Sequence, residues 1–378
     1  MSSNPDWMNR GFEHIWLPYT QMKTAPHPLP VVGASGCDLH LADGRTLIDG
    51  VASWWSMCHG YQHPHIVEAI TKQAQQLSHV MFAGLAHEPA YALASRLTAM
   101  APNGLERVFF CDSGSIAVEV AMKMAIQYWL NLGHPKKDKF ICFNHAYHGD
   151  TLGTMSISPR SGMHHAFDKL TYRNYTVDLP SDEYSVAEFA EMVADIAPTV
   201  AGLILEPLVQ GAGGMRFHSA DVVAEIRRIC RDHDILFIAD EIMTGFARTG
   251  SMFACDEAGI SPDILCVGKG LTGGHISLAA TLATSNIYDA FLSDDWNIAL
   301  MHGPTFMANP LACAAANASL QLFESEPRIA QVEAIEQQLQ QMLSPCRAVS
   351  GVKEVRVKGA IGVVQVDANQ TELFAMRQ

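Results

Sequence analysis

Between about residues 105 and 270, short apolar runs alternate with helix-period patterns, and nothing else in the chain narrows its fold so far. Residues 107–111, 140–143, 201–205, 235–239 and 264–267 read as buried strands. Residues 115–130 read as a helix, with Val118, Ala121, Met122, Ala125 and Trp129 recurring at helical spacing. A second helix over 219–232 places Val222, Val223, Ile226, Ile229 and Cys230 on one face. Ser185-Val186-Ala187-Glu188 has the pattern of a capping box, opening a helix that stops before Pro198. Strand, helix and strand in alternation imply an α/β fold, a mostly parallel sheet between helices. In such sheets ligands bind beyond the carboxyl ends of the strands, so the residues just after each strand are the ones to inspect.

The flanks differ. The first fifty residues, with Gly36-Cys37-Asp38-Leu39-His40-Leu41 and Asp43-Gly44-Arg45, read as a small β element with a tight turn. Asn309-Pro310 reads as the N-cap and first residue of a small-residue helix running to about Phe323, and 351–366 reads as strands of a second, smaller unit. The expected division is a large unit, 51–324, and a small discontinuous α+β unit built from 1–50 and 325–378.

Composition excludes several classes of function. Lys+Arg total 25 against Asp+Glu 39, a formal charge of −14, and no basic cluster is interleaved with aromatics. Nucleic acid and anionic membrane are both held mainly through positive charge, so neither is an expected partner. No apolar stretch reaches membrane-spanning length, and the polar start lacks the pattern of a secretory signal. Nine scattered cysteines without a CxxC read as reduced, mostly buried thiols of a cytoplasmic protein. His63-Pro64-His65 and His145-Ala146-Tyr147-His148 are the tightest histidine groups, and neither has zinc-site spacing, so no metal is expected.

Four strand ends carry chemistry. Asp240 follows the run 235–239, where a carboxylate is costly to desolvate unless a cation meets it; a protonated pyridine nitrogen is such a cation, and so is a buried basic side chain. Lys269 sits between Gly268 and Gly270 just past 264–267, on a tight turn where lost solvation makes an amine nucleophilic. Asp112-Ser113-Gly114-Ser115 opens the helix after 107–111 and offers free N–H groups and the positive dipole end to a phosphate. Tyr147, after 140–143, could stack on a planar ring or serve only in packing. Together they make a phosphate cradle, a ring platform, a pyridinium partner and a Schiff-base lysine.

With these residues in place the chain resembles the class III aminotransferases, pyridoxal-phosphate (PLP) enzymes of fold type I. Besides the motifs already quoted, the likeness is carried by Tyr147-His148-Gly149, Leu205-Glu206-Pro207 with Gln210-Gly211, and Ala239-Asp240-Glu241. It continues through Gly245-Phe246-Ala247-Arg248-Thr249-Gly250, Gly268-Lys269-Gly270-Leu271-Thr272-Gly273-Gly274 and His302-Gly303-Pro304-Thr305-Phe306, covering nearly the whole chain. The resemblance implies that Gly114 and Ser115 hold the phosphate, Tyr147 stacks on the ring, Asp240 pairs with the ring nitrogen and Lys269 carries the cofactor and moves the proton. Gly303, Pro304 and Thr305 would reach the phosphate site of a neighbouring subunit, which implies a homodimer with shared sites. Tyr19, Trp54, Tyr147, Lys269 and Gly303 would line the substrate pocket.

Trp16-Leu17-Pro18-Tyr19-Thr20, Ser53-Trp54-Trp55 with His59-Gly60-Tyr61, and Ser78-His79-Val80-Met81-Phe82 resemble most the family members of biotin synthesis. Those members transfer an amino group from S-adenosylmethionine to 8-amino-7-oxononanoate, giving 7,8-diaminononanoate. Two other readings keep the same cofactor. An ω-amino-acid aminotransferase would need a charge for a second carboxylate where Tyr19 and Trp54 stand, and a PLP-binding relic would show no turnover. Ala247 occupies a place where the family usually has glycine, which a small backbone adjustment accommodates. The family continues past the position of Gln378 with a stretch that supplies an arginine for the substrate carboxylate. The resemblance therefore implies an incomplete small unit, with substrate binding weakened and cofactor binding kept.

Overall fold

The structure, a computed structural model, describes residues 4–159 and 163–367. Near the start, β1 (Val31–Ser35), β2 (Asp38–Leu41) and β3 (Thr46–Ile48) form an antiparallel sheet, with Gly44 turning the chain at φ 88°. The main sheet takes β4 (Leu105–Cys111), β5 (Lys139–Phe143), β6 (Tyr175–Val177) and β7 (Val200–Leu205). After a short ladder of β8 (Val209–Gln210) and β9 (Arg216–Phe217), the main sheet is completed by β10 (Leu236–Asp240), β11 (Ile264–Val267) and β12 (Ala279–Thr284). β13 (Val352–Lys358) and β14 (Ile361–Val366) form a separate hairpin.

The seven strands lie in the order β4-β12-β11-β10-β7-β5-β6, and all run parallel except β12, which is antiparallel to both its neighbours. The expected mostly parallel sheet is present. β12 was not legible in sequence, because Ala279-Ala280-Thr281-Leu282-Ala283-Thr284 is built of small residues without a β-branched run. Its residues are buried from Ala279 to Ala283, and small side chains there let helices approach both faces of the sheet.

Helix faces follow their periodicity. In Gly114–Asn131 the five residues spaced for one face are all buried, and Trp129 Nε1 donates to Ala201 O at 2.8 Å. In Ala220–Asp232 the five predicted core residues are buried and Ser219 caps the helix by accepting from Val222 N. Each large apolar side chain so buried contributes about 1.5–3 kcal/mol. The helix Glu183–Ile196 corrects one expectation: Asp182 is its N-cap, accepting from Ser185 N at 2.8 Å, while Ser185 Oγ accepts from Asp182 N at 3.1 Å. The capping box is thus one turn upstream of the pattern at 185–188, because the aspartate is the stronger acceptor. Asp240 is the last residue of β10 rather than the first beyond it.

A candidate active site at the carboxyl edge of the sheet

The carboxyl ends of β4, β5, β7, β10 and β11 deliver their following residues to one cleft. Its cavity measures about 170 Å³ and opens to solvent. Its lining includes Gly114, Ser115, Tyr147, Asp240 and Lys269, so five residues from four segments of the chain meet as expected.

Lys269 stands in a left-handed conformation, φ 44°, between two glycines at the end of β11. Its Nζ lies 5.1 Å from the centre of the Trp55 ring. Burial pushes the amine below the ordinary lysine range, while the Asp240 and Glu206 carboxylates draw it back up. An amine so desolvated keeps a larger neutral, nucleophilic fraction.

Asp240 is buried, and both its oxygens are engaged. Oδ1 accepts from Ile242 N at 3.2 Å, and Oδ2 lies 2.7 Å from Nδ1 of the buried His148. An ionised carboxylate only accepts, so Nδ1 carries the proton of that bond. Glu206, also buried, accepts from Tyr147 N at 2.9 Å and from Gly211 N at 3.0 Å. Burial raises its carboxyl to about 7. Neither His148 nor the bracing function of Glu206 was legible in sequence. The tell-tale for His148 was its place beside Tyr147 after a strand.

Ser113 occupies the N-cap position in extended conformation without a side-chain cap bond, so the first-turn amides of an 18-residue helix have no side-chain acceptor. Uncapped amides at a helix start suit a phosphate. Space there is tight. A Cβ on Gly114 would approach Ile242 side-chain atoms to 3.0 Å, and one on Gly149 would lie 2.2 Å from Ser115 Oγ. The cradle, the buried carboxylate and the desolvated lysine amine therefore fit a phosphorylated pyridine aldehyde.

At the mouth, Tyr19 OH lies 3.2 Å from Tyr147 OH and also donates to Asp150 Oδ2, while His164 Nε2 lies 3.1 Å from Asp150 Oδ1. Trp54 is 57% exposed and meets Tyr19 edge-on, ring centres 6.0 Å apart. It is Trp55, not singled out in sequence, that lines the cleft. The reason is local. Ala52, Ser53, Trp54 and Trp55 all have positive φ, from 45° to 67°, so the segment forms a left-handed turn whose facing cannot be read from an ordinary period. Left-handed backbone costs roughly 1–2 kcal/mol per residue. Asp49 fastens the turn, accepting from Val51 N at 3.0 Å, Ser53 N at 2.7 Å and Tyr61 OH at 2.6 Å.

Gly303, Pro304 and Thr305 are not brought to this cleft; Gly303 and Thr305 lie exposed. Arg248 is half-buried and donates to the Trp55 carbonyl at 3.5 Å. Ala247 holds φ 64°, the left-handed backbone that explains why glycine suits the place. Glu241 points away from the cleft and is fully buried, accepting from Ala254 N at 2.7 Å, Cys255 N at 2.8 Å and Thr244 Oγ1 at 3.0 Å. Among the described residues no three histidine, cysteine or acidic side chains converge as metal ligands, and no helix is long and apolar enough to cross a membrane.

Sheet order, lysine, buried carboxylate and phosphate cradle together define a fold type I PLP enzyme. The family model for class III aminotransferases matches residues 19–377, and the chain belongs to that family. It is 47% identical over 365 residues to the adenosylmethionine-8-amino-7-oxononanoate aminotransferase of Mycobacterium leprae, a match spanning 94% of this chain and 83% of that protein. Among solved structures, the enzyme of the same name from Methanocaldococcus jannaschii superposes with a TM-score of 0.92 at 34% identity, covering 97% of this chain and 85% of that one. A PLP-bound amine transaminase from an uncultivated Pseudomonas species gives 0.88, also at 34% identity, covering 94% of this chain and 85% of that one.

Proposed function

We propose that this aminotransferase moves an amino group from S-adenosylmethionine to 8-amino-7-oxononanoate, forming 7,8-diaminononanoate for biotin synthesis. The observation that carries the choice within the family is the aromatic mouth. Tyr19, beside Tyr147 at the mouth, meets Trp54 edge-on, and an aromatic rim suits a long aliphatic chain better than a second carboxylate. The 47% identity to a relative of that name over 94% of the chain supports the same reading.

PLP, when bound, supplies the carbonyl carbon that takes the substrate amine and a ring that accepts electrons from substrate Cα. The residues divide the remaining work. First-turn amides at Gly114 and Ser115 bind the phosphate. Tyr147, its backbone N–H held by Glu206, presents a flat face to the ring. Asp240, oriented by His148, holds the proton on the pyridine nitrogen. Lys269, its amine desolvated in the cleft, would hold the cofactor and, when free, would move the proton at substrate Cα. Trp55 lines the cleft beside Lys269, and Tyr19 and Trp54 would line the entry for the substrate.

The reading includes a homodimer. Exposed apolar side chains such as Trp16, Met81, Trp296 and Phe306 support it. The exposed Gly303-Pro304-Thr305 loop would complete the neighbour's phosphate and substrate site. It also keeps a large unit, 51–324, and a small one from 1–50 and 325–378; β1–β3 and the β13–β14 hairpin lying outside the main sheet support the division. The nine cysteines are free thiols, which supports a reducing cytoplasm.

The test is direct. Purified protein with PLP is given S-adenosylmethionine and 8-amino-7-oxononanoate, and the diamine is sought by mass spectrometry. Its formation at a rate well above that with ω-amino acids and 2-oxo acids is expected. Turnover only with the latter would replace this substrate assignment with the ω-amino-acid reading.

A further inference from the structure

The helix Gly114–Asn131 has a second feature, remote from the cradle at its first turn. Lys123, Gln127 and Asn131 recur every four residues and form one row along about 12 Å of the helix. All three reach backbone atoms of a single segment. Asn131 Nδ2 donates to Ala290 O at 3.1 Å and Ile298 O at 3.4 Å. Gln127 Nε2 donates to Ile298 O at 2.9 Å and Ala299 O at 3.1 Å. Lys123 Nζ donates to Met301 O at 3.3 Å and lies 3.1 Å from His302 Nδ1.

The row follows the segment step by step toward the cradle end of the helix and stops at the residue before Gly303. On the far side, Met307 N donates to Pro304 O at 3.0 Å, and Asn309 Oδ1 caps the next helix by accepting from Leu311 N at 3.0 Å and Ala312 N at 3.2 Å. The Gly303-Pro304-Thr305 loop is therefore pinned at both ends while its tip is exposed.

We propose that Lys123, Gln127 and Asn131 are positioning residues that set the Gly303-Pro304-Thr305 loop for the cofactor site of a second copy of the chain. The proposal rests on the shared-site reading given above. One helix then serves two sites, its own phosphate at the first turn and the neighbour's through the polar row.

The test uses mixed dimers of an unaltered chain and a Gln127→Ala/Asn131→Ala chain, co-expressed with tags of different mass. Dimers are titrated with PLP, the lysine attachment is trapped with borohydride, and intact masses report occupancy of Lys269 on each chain. The expected result is crossed. Half-saturation of the unaltered chain rises about tenfold, the size of one lost charge-assisted contact, while the altered chain stays near the wild-type value. Gln127→Lys, which keeps a donor at similar reach, should recover most of the loss. A loss confined to the altered chain, equal in both, or absent from both overturns the proposal. If the double variant does not fold, the single Gln127→Ala chain gives the same crossed comparison. If the unaltered protein sediments only as a monomer, the shared-site reading itself fails and the proposal with it. A dimer with the loss on the altered chain removes the proposal alone.

Discussion

Gly149→Ala should loosen the cofactor more than it loosens the fold. Gly149 has φ 130°, a region that side-chain-bearing residues occupy at a cost of about 1–3 kcal/mol. Its added Cβ would sit 2.2 Å from Ser115 Oγ, 2.7 Å from Ser115 Cβ and 2.9 Å from Ser115 Cα. Relief needs a movement of about 1 Å, and because the Ser115 backbone is among the atoms struck, a rotamer change is not enough. The steric part adds about 1–3 kcal/mol. Ser115 Oγ also accepts from Asp150 N at 3.2 Å, so its displacement disturbs the mouth as well as the cradle. If half the combined strain, about 1–3 kcal/mol, falls on the phosphate site, PLP affinity drops by roughly fivefold to 150-fold. PLP titration followed by absorbance or tyrosine fluorescence measures this, with the melting temperature of the cofactor-free protein as control. Wild-type PLP affinity in a folded Gly149→Ala protein would refute the cradle assignment of Ser115. By contrast Gly114→Ala, which meets only the flexible Ile242 side chain at 3.0 Å, should be milder.

Lys269→Ala should abolish turnover while fold and assembly survive; keeping more than about a tenth of the activity, a barrier change near 1.4 kcal/mol, would remove the lysine from its role. Asp240→Asn should leave PLP bound and slow Cα proton removal by about a hundredfold or more, read from isotope exchange at Cα. Glu241→Gln should instead cost stability above about pH 7, about 1–3 kcal/mol, because its amide nitrogen faces a backbone donor that the ionised carboxylate satisfied. Equal kinetic losses in the two variants would mean the wrong carboxylate had been chosen. Burial raises Glu241 from 4.5 to about 7, so its contribution to stability is complete below about 4.5 and is lost as pH rises through about 7. Denaturant midpoints at pH 5 and 8 should show that fall, up to about 3 kcal/mol, in the wild type and less of it in Glu241→Gln.

The parts of this protein that follow from local order were legible from the sequence. The helix face of Val118, Ala121, Met122, Ala125 and Trp129 is periodic and the buried runs 201–205 and 264–267 are continuously apolar, and both patterns are properties of neighbours in the chain. Lys269, Asp240, Gly114, Ser115 and Tyr147 were legible because parallel strands must end on one edge, and each of these residues ends or follows a strand. Antiparallel β12 escaped because small residues carry no strand period, and Trp55 because a left-handed turn has neither helix nor strand facing. The 2.7 Å bond joining His148 to Asp240 crosses 92 residues. The row Lys123, Gln127 and Asn131 meets carbonyls more than a hundred residues away. Such contacts have no sequence signature, since nothing in the order of residues says which distant carbonyl a side chain will find. Only the closing of the sheet and its helices brings donor and acceptor within reach, and burial then makes the unpaired alternative costly.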